Sequence, residues 1–341
     1  MDQHKLIARW IRGEIPAKLL PWQIDLDLTN ICNQSCFYCN SAEFRASKPV
    51  YQNIRAYLEL VDKLAGWREH DANVIGTTSN VILSGGGEPT LLPGYEWVVE
   101  RLVDSGFFVA MNTNGTKLDR LLNIAPEKLQ RMAYIGLDID SGNPDTYEKI
   151  RRSLLSTSPF QKIKKTAQKL TAAGAPVDVK MLLLEPNTTP EEIHAIASYA
   201  QDIGARSIHF RPGVIDDVAF PITPSLRSKI QETCVKLGVD YHIAVGRYEP
   251  RSYLKCHQFF LFPSFCADGW VYLCCEYKGV EQFRLCKWID DGIDWRDIWG
   301  SEQHRARYEN FLTTQCKPCR PNTTNNRVEL GLTTQGSEGF I

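Results

Sequence analysis

Short apolar segments rich in β-branched and aromatic residues alternate with longer segments of helical periodicity from about residue 22 to residue 240. The pattern predicts strands at residues 22–28, 80–84, 107–112, 134–139, 177–184 and 207–210. It predicts helices at residues 51–67, 95–105, 145–173, 190–203 and 224–237. Successive βα units imply a parallel sheet with outer helices, because each right-handed crossover requires a helix. The predicted fold class is therefore α/β, with a partial (βα)6 barrel resembling a TIM barrel at residues 22–240 and function expected at the C-terminal ends of its strands.

The two ends of the chain do not continue this alternation of strand and helix patterns. Residues 1–21 are predicted to form an N-terminal helical segment. The amphipathic helix within this segment ends at Pro16. Its apolar face comprises Leu6, Ile7, Trp10 and Ile11. Residues 241–320 predict a small extension containing a β-hairpin (259–266 and 270–275, with Asp268-Gly269 at the turn) and a helix at 301–313. The tail at 321–341 is polar and lacks periodicity, so it is expected to be either disordered or folded back over the active site.

Charge and hydropathy exclude several classes of protein. Lys and Arg total 39 against 40 Asp and Glu, so no global field attracts nucleic acid or an anionic membrane. No segment approaches the length of a spanning helix, and the N-terminus lacks the apolar core of a signal peptide. We expect a cytoplasmic protein with no nucleic-acid or membrane partner. Eleven cysteines in a reducing compartment then point to metal or redox chemistry.

Two motifs follow the first two predicted strands. Cys32-x3-Cys36-x2-Cys39 supplies three thiolates, which suit a [4Fe–4S] cluster with one open iron or a zinc site completed by a distant His or Cys. Gly85-Gly86-Gly87-Glu88-Pro89 allows backbone to approach a ligand and places a carboxylate near an ammonium group. An ordinary βα turn is the alternative for the second motif.

Together these motifs resemble the radical SAM superfamily over about residues 22–215, with CxxxCxxC after the first strand and GGEP after the second. The resemblance implies that Cys32, Cys36 and Cys39 hold a [4Fe–4S] cluster whose open iron binds S-adenosylmethionine (SAM). One electron from the reduced cluster would then generate a 5′-deoxyadenosyl radical that abstracts hydrogen from a C–H bond. The residues expected to contact SAM are Gly85, Gly86, Gly87, Glu88, Pro89, Tyr38, Asn114, Asp138, Asp140, Ser141, Arg151 and Arg211. Asp138 stands where the family has Ser, and Arg211 is included only for its place at the end of the sixth strand, where a structural ion pair is the alternative.

The C-terminal cysteines form a third group. Cys256-x12-Gly269-x4-Cys274 followed by Cys316-x2-Cys319 suits either a zinc ribbon or an iron–sulfur centre. Beside a radical SAM barrel it resembles the SPASM/twitch extension, and the absence of cysteines after Cys319 matches the shorter twitch form. The resemblance implies that the four cysteines fully ligate one auxiliary [4Fe–4S] cluster.

Four cysteines lie outside these motifs: Cys234, Cys266, Cys275 and Cys286. Each is interpreted as a small buried hydrophobe or as a hydrogen donor to a substrate radical. Cys275 is expected to point away from Cys274, because neighbouring residues of a strand face opposite sides.

Three functions are consistent with the sequence. The main hypothesis is a radical SAM enzyme that modifies a peptide or protein and takes electrons from a flavodoxin or ferredoxin. The second is a dehydrogenase or epimerase acting on a small molecule, a cyclitol or aminosugar of secondary metabolism. The third, from another class, is a non-catalytic zinc or iron–sulfur binding module.

Overall fold

The computed structural model describes residues 3–47, 50, 52–244, 246, 249–289, 292–317, 319 and 321–333. In these residues the strands are β1 (Lys18–Leu19), β2 (Gln23–Asp27), β3 (Val74–Ile75), β4 (Asn80–Ser84), β5 (Phe108–Thr113), β6 (Tyr134–Asp138), β7 (Val177–Leu183), β8 (Ser207–Pro212), β9 (Val214–Ile215), β10 (Val218–Ala219), β11 (Tyr241–Ile243), β12 (Ser264–Phe265), β13 (Trp270–Tyr272) and β14 (Arg284–Lys287). The helices are α1 (Gln3–Ile11), α2 (Ala42–Ser47), α3 (Ile54–Ala65), α4 (Trp67–His70), α5 (Tyr95–Asp104), α6 (Pro126–Leu129), α7 (Pro144–Arg151), α8 (Phe160–Ala172), α9 (Pro190–Asp202), α10 (Pro224–Leu237), α11 (Trp295–Ile298), α12 (Glu302–Asn310) and α13 (Asn322–Thr333).

One long sheet organises the molecule. In the described part of the chain it runs β11, β8, β7, β6, β5, β4, β2, β12, β13, β14. The six strands β2, β4, β5, β6, β7 and β8 pair in parallel with their successors along the chain. Each lies within two residues of a predicted strand at both ends. The prediction of an α/β fold with a parallel, barrel-like sheet is confirmed.

The C-terminal region continues this sheet. β12 pairs in parallel with β2, with Ser264 opposite Asp25 and Phe265 opposite Leu26. β13 then pairs antiparallel with β12, and β14 antiparallel with β13. Both hairpin strands are shorter than predicted: His257–Phe260 forms a 3₁₀ helix, and the second strand ends at Tyr272, so Cys274 and Cys275 lie beyond it and strand alternation does not apply to them. The edge of the barrel at β2 is thus covered by the extension.

The outer helices bury apolar faces at helical spacing. In α8 these are Phe160, Ile163, Ala167 and Leu170. At α9 and α10 a threonine side chain accepts from a backbone N–H of the first turn, and proline is the first helical residue. Three of the four residues of the predicted face of α1 pack on the core: Ile7 and Trp10 are buried, and Ile11 packs beside them, whereas Leu6 is only half-buried.

Two further segments differ from the sequence prediction. The helix predicted at 145–173 is broken at Arg152, whose φ of +48° ends α7. There the chain leaves the helix to pair with the loop after β2: Ser35 N donates to Arg152 O (3.0 Å) and Leu154 N to Asn33 O (3.0 Å). This tertiary pairing outweighs the local helical preference.

The second difference is at the tail, where residues 322–333 form α13 instead of a patternless segment. Its buried side includes Asn322 and Asn325, which bond to backbone: Asn322 Nδ2 donates to Glu249 O (2.7 Å), and Gln258 N donates to Asn325 Oδ1 (3.1 Å). α13 packs on α1. Amphipathic periodicity could not reveal a helix whose buried face is partly amide. None of the helices in the described ranges has the length and apolar character needed to cross a membrane.

Candidate active site

A cavity of about 630 Å³ opens at the C-terminal ends of the parallel strands. A volume of this size is typical of small-molecule and cofactor sites. Fourteen of the sequence-predicted site residues line it. Thirteen belong to the barrel: Cys32, Cys36, Tyr38, Cys39, Gly85, Gly86, Gly87, Glu88, Asn114, Asp138, Asp140, Arg151 and Arg211. The fourteenth, the candidate hydrogen donor Cys275, comes from the C-terminal extension, which also adds Glu276, Lys278 and Lys317. The cavity therefore lies between the barrel and the extension.

The three clustered cysteines lie in the loop between β2 and α2. Cys39 N donates to Cys36 O (3.2 Å), a turn that brings the last two cysteines of the motif together. Burial raises the pKa of Cys32 to about 11, and the nearby Glu88 charge adds to the shift. Burial likewise raises the pKa of Cys36. These thiols are protonated at neutral pH, so any metal centre they bind displaces protons as it forms.

The glycine loop that follows β4 packs tightly on the cysteine loop. Gly87 N donates to Thr29 O (3.0 Å) and Glu88 N to Ile31 O (2.8 Å). A Cβ at Gly87 would lie 2.1 Å from the carbonyl oxygen of Ile31. Only glycine allows this backbone approach, which fixes the two loops against each other.

The Glu88 carboxylate is bonded to protein groups. Oε1 accepts from Thr113 Oγ1 (2.6 Å) and from Thr90 Oγ1 (2.6 Å), and Oε2 accepts from Asn114 N (2.7 Å). Burial raises the pKa of Glu88, and these donors oppose that shift. Glu88 thus ties the end of β4 to the end of β5, a structural role absent from the sequence interpretation.

A buried network connects the segment after β6 with the cysteine loop. Arg151 Nη1 donates to Asp140 Oδ2 (2.8 Å) and to the Tyr38 hydroxyl (2.6 Å), and Tyr38 in turn donates to Asp140. Arg151 Nε donates to Oε1 of Gln34 (2.9 Å). Asp140 has a φ of +62° and accepts from Leu182 N (2.7 Å), so its backbone and side chain are both constrained. This left-handed conformation aims the carboxylate at the arginine.

Charged side chains from the inner face of the barrel also line the cavity. Burial raises the pKa of Asp138, and the Arg151 and Lys180 charges oppose the shift. Lys180 donates to Asn112 Oδ1 and lies 4.2 Å from the centre of the Tyr134 ring. A Cβ at Gly136 would lie 2.3 Å from Lys180 Cε, so glycine is required for the lysine to cross the barrel interior.

Four cysteines of the extension influence one another electrostatically. The pKa of Cys256 is raised by burial and then by the neighbouring Cys319 and Cys316 charges. The pKa of Cys274 is raised by burial, by Cys275 and by Cys256. The fold thus brings together cysteines that lie up to 63 residues apart in the sequence, from 256 to 319.

The remaining predicted residues lie elsewhere. Ser141 is buried and donates to Glu192 Oε2 (2.6 Å), and Pro89 begins a buried 3₁₀ turn. Cys234 is buried on α10, Cys266 donates to Asp27 Oδ2 (3.5 Å), and Cys286 lies on β14. None of these five is among the lining residues of the cavity.

Three of the lining residues that sequence reasoning missed show why they were missed. Gln34 lies inside the cysteine motif, but its role depends on Arg151 reaching it. A signal for Lys180 was visible, since it is one of two charged residues, with Asp178, in a buried strand that is otherwise apolar. Lys278 has no local signal, because its partner Asp27 is 251 residues away in sequence.

A protein-family comparison supports the same interpretation as this geometry. The model of the radical SAM superfamily matches residues 26–200, about half of the chain. The chain belongs to the radical SAM superfamily. It is similar to the mycofactocin maturase MftC of Mycobacterium tuberculosis, with 26% identity over 236 residues (67% of this chain, 54% of the relative). It is also similar to the sporulation killing factor maturation protein SkfB of Bacillus subtilis, with 25% identity (60% of this chain, 48% of the relative). The chain thus spans about half the length of these curated relatives.

Solved structures share the radical SAM fold. Streptococcus suis SuiB bound to S-adenosylmethionine aligns with a TM-score of 0.63 at 12% identity, over 86% of this chain and 68% of SuiB. The anSMEcpe protein with bound AdoMet aligns with a TM-score of 0.55 at 14% identity, over 85% of this chain and 83% of that protein. At these identities the similarity establishes the architecture.

The radical SAM family uses a [4Fe–4S] cluster and SAM, and the donor set of the cavity fits both. Among the described residues, no three His, Cys, Asp or Glu side chains converge closely enough for a single metal ion. A [4Fe–4S] cluster makes a different demand, because each thiolate binds a different iron. Cys32, Cys36 and Cys39 around one cavity meet that demand, and the remaining walls offer backbone and charged groups to a zwitterionic ligand.

Proposed function

We propose that the chain is a radical SAM enzyme that abstracts hydrogen from a C–H bond of a peptide or protein substrate. The observation that carries this proposal is the convergence of three thiols, the glycine loop and the Asp140–Arg151 pair on one cavity at the C-terminal ends of the parallel strands. Radical chemistry requires such a site, because the protein must orient the cofactor and exclude competing reactions.

In this proposal Cys32, Cys36 and Cys39 hold the catalytic [4Fe–4S] cluster. When bound, the reduced cluster supplies the electron that splits SAM into methionine and the 5′-deoxyadenosyl radical. The glycine loop presents its backbone to the methionine portion of SAM. Because the Glu88 carboxylate is already bonded to Thr90, Thr113 and Asn114, its role is to hold this loop in place.

Arg151 and Asp140 orient the polar part of SAM in the proposed site. Their ion pair is nearly fully buried, with side chains 7% and 2% exposed, so it is weakly screened by solvent. Tyr38 bonds to both residues and keeps them in one arrangement. Asn114, Asp138 and Arg211 complete the candidate SAM contacts.

Cys256, Cys274, Cys316 and Cys319 hold one auxiliary [4Fe–4S] cluster in the proposed enzyme. Four protein ligands leave no open iron, which assigns this cluster to electron relay or to structure. A flavodoxin or ferredoxin is the proposed electron donor, and the reducing cytoplasm is the proposed location. The proposed boundaries are 1–21 for the N-terminal segment, 22–240 for the barrel, 241–320 for the auxiliary domain and 321–341 for the tail.

The choice of a peptide substrate is supported by relatives. Two curated relatives are named as a maturase and a maturation protein, and SuiB has been solved bound to its precursor peptide SuiA. The SuiA-bound structure aligns over 91% of this chain with a TM-score of 0.62. A wide cavity between barrel and extension suits a chain-like substrate better than a closed pocket would.

The test is formation of 5′-deoxyadenosine by anaerobically reconstituted protein supplied with dithionite and SAM. We expect turnover by the wild type and none by a Cys32→Ala, Cys36→Ala, Cys39→Ala triple variant. Lack of turnover by protein with a full complement of iron and sulfide, with peptides and sugars both supplied, would contradict the proposal.

Substrate class is tested by stimulation of the same turnover. We expect peptides to stimulate it and cyclitols or aminosugars to leave it unchanged. The products report the net reaction, since dehydrogenation removes two hydrogens and epimerisation in D₂O adds one deuterium. Stimulation by an aminosugar alone would replace the peptide proposal with a small-molecule one.

A further inference from the structure

A short segment of the extension contacts two parts of the candidate active site, the cysteine loop and the end of β2. We call residues 274–279, which follow β13, the bridging segment. Asn40 Nδ2 of the cysteine loop donates to Glu276 Oε2 (2.9 Å). Lys278 forms an ion pair with Asp27 at the end of β2 (2.8 Å). The segment that begins with Cys274, a proposed ligand of the auxiliary cluster, therefore reaches the catalytic loops.

The Lys278–Asp27 pair is one of the most buried ion pairs in the described residues. Their side chains are 6% and 0% exposed, and Lys278 Nζ lies 2.8 Å from each carboxylate oxygen. Burial alone would lower the pKa of Lys278, but the Asp27 charge raises it above its ordinary value. The lysine therefore stays charged and fixes the orientation of the carboxylate.

Asp27 in turn holds the glycine loop through a hydrogen bond. Its Oδ2 atom accepts from Gly86 N (3.0 Å) and from Cys266 Sγ (3.5 Å). With Lys278 on the other side, the carboxylate cannot rotate without breaking one of these contacts. The position of the Gly86 amide thus depends on a lysine 192 residues further along the chain.

An aromatic ring reinforces the same connection. Phe44 on α2 lies between Gly86 and Gly279: a Cβ at Gly86 would lie 2.6 Å from the ring, and one at Gly279 would lie 2.7 Å from it. Gly279 also has a φ of +84°, which disfavours any other residue. The glycine loop and the bridging segment therefore pack against opposite sides of the Phe44 ring.

We propose that Lys278 is a positioning residue that, through Asp27, sets the Gly86 backbone against SAM and couples that backbone to the auxiliary cysteine site. This inference rests on the proposed radical SAM function. It assigns to the extension a role in SAM binding beyond that of holding a cluster.

A matched control separates positioning from simple stabilisation. Lys18 also forms an ion pair, with Asp71, and donates to Arg296 O (3.1 Å), joining the N-terminal region to the extension. Its side chain is 19% exposed, and it is not among the residues that line the cavity. Lys18→Met therefore removes a bridging lysine without touching the glycine loop.

The first measurement is hydrogen–deuterium exchange on cluster-free protein, in a peptide that covers residues 84–88. We expect Lys278→Met to increase amide exchange in this peptide, Lys278→Arg to preserve protection, and Lys18→Met to leave it unchanged. Exchange equal to the wild type in folded Lys278→Met would overturn the proposal.

The second measurement is SAM binding by anaerobic calorimetry on reconstituted protein of equal iron content. We expect affinity to fall about tenfold in Lys278→Met, because a small misplacement at a binding loop has effects of this order or larger. Lys278→Arg should recover most of the affinity, and Lys18→Met should match the wild type. Equal affinities for Lys278→Met and the wild type would also overturn the proposal.

A double variant covers the case in which Lys278→Met fails to fold. Asp27→Asn with Lys278→Met removes both buried charges, so we expect stability to recover while SAM affinity stays lowered. Wild-type affinity in the double variant would mean that the pair serves stability alone. If the wild type itself produces no 5′-deoxyadenosine, the proposed function fails first, and exchange at residues 84–88 still tests the Lys278 connection by itself.

Discussion

The catalytic-loop cysteines and the auxiliary cysteines differ in how the chain supplies them. Cys32, Cys36 and Cys39 come from eight consecutive residues in one loop after β2. The auxiliary set comes from the residue before a 3₁₀ helix, the end of a hairpin and a loop before α13, spread over residues 256–319. The first set is arranged by local turns, whereas the second exists only when the sheet, α12 and the tail have packed together.

This difference predicts different dependences on the rest of the protein. A motif within one loop keeps its ligands close together when distant parts of the chain loosen, because a segment of eight residues joins them. A site assembled from several segments acts as a crosslink, and its metal stabilises the fold that creates it. Loss of the auxiliary site should therefore disturb structure, and loss of the catalytic site should disturb chemistry.

The largest expected effect is a difference in turnover between variants of the catalytic cysteines and variants of the auxiliary cysteines. The Cys32/Cys36/Cys39→Ala protein should keep about half of its iron and lose turnover completely. A Cys256→Ser, Cys319→Ser protein should also keep about half of its iron, but its 5′-deoxyadenosine formation should fall only about tenfold to a hundredfold, through misplacement at the SAM site.

Iron analysis, turnover and limited proteolysis distinguish the two sets. Proteolysis should cut the extension of the Cys256→Ser, Cys319→Ser protein faster and leave the triple variant as resistant as the wild type. Equal protease resistance of both sets would contradict the role assigned to the auxiliary site.

An effect of intermediate size concerns the pH dependence of thiol reactivity in cluster-free protein. Because the pKa of Cys32 is raised to about 11, its reactive thiolate should increase about tenfold per pH unit from pH 7 to 9. The thiolate fraction of an ordinary thiol, whose pKa is about 8.5, begins to level off in the same pH range. Iodoacetamide labelling followed by peptide mass spectrometry measures both rates, and a plateau for Cys32 below pH 9 would refute the raised pKa.

The smallest expected effect concerns Cys234, a cysteine to which no cluster is assigned. Cys234 is fully buried on α10 and has no place in either set. Cys234→Ala should lower the free energy of unfolding by about 1 kcal/mol, as other small core deletions do, and leave turnover unchanged. Urea unfolding and 5′-deoxyadenosine formation provide the two readouts, and a loss of turnover at equal stability would assign Cys234 a chemical role.

Local patterns predicted the elements whose boundaries are defined by turns and caps. β4 begins and ends where a short apolar run and the glycine loop placed it, and α10 has the predicted bounds because a threonine cap precedes its proline. The motif cysteines and glycines could likewise be found by inspection, because each group is contiguous in the chain. Their shared cavity follows from the parallel sheet, which brings the ends of β2 and β4 side by side.

What the sequence did not reveal depends on contacts between distant segments. The break after Arg151 is caused by pairing with the cysteine loop, and α13 is held by amide groups instead of an apolar stripe. Glu88 lines the cavity, but the sequence did not reveal that its carboxylate also accepts hydrogen bonds from Thr113 at the end of β5 and from the next residue, Asn114. Side-chain partners of this kind become visible only when the strands are in register.

The pairing of β12 with β2 has a consequence for synthesis of the protein. The ribosome makes Asp27 about 240 residues before it makes the strand that covers β2. At about 5–20 residues per second, the outer edge of β2 waits roughly 10–50 seconds for its neighbour. During that interval the nascent chain exposes an unpaired strand edge beside the cysteine loop, a template for association with other chains. Slower elongation lengthens this exposure, so chaperone supply during translation, more than the stability of the finished protein, should set the yield of folded enzyme.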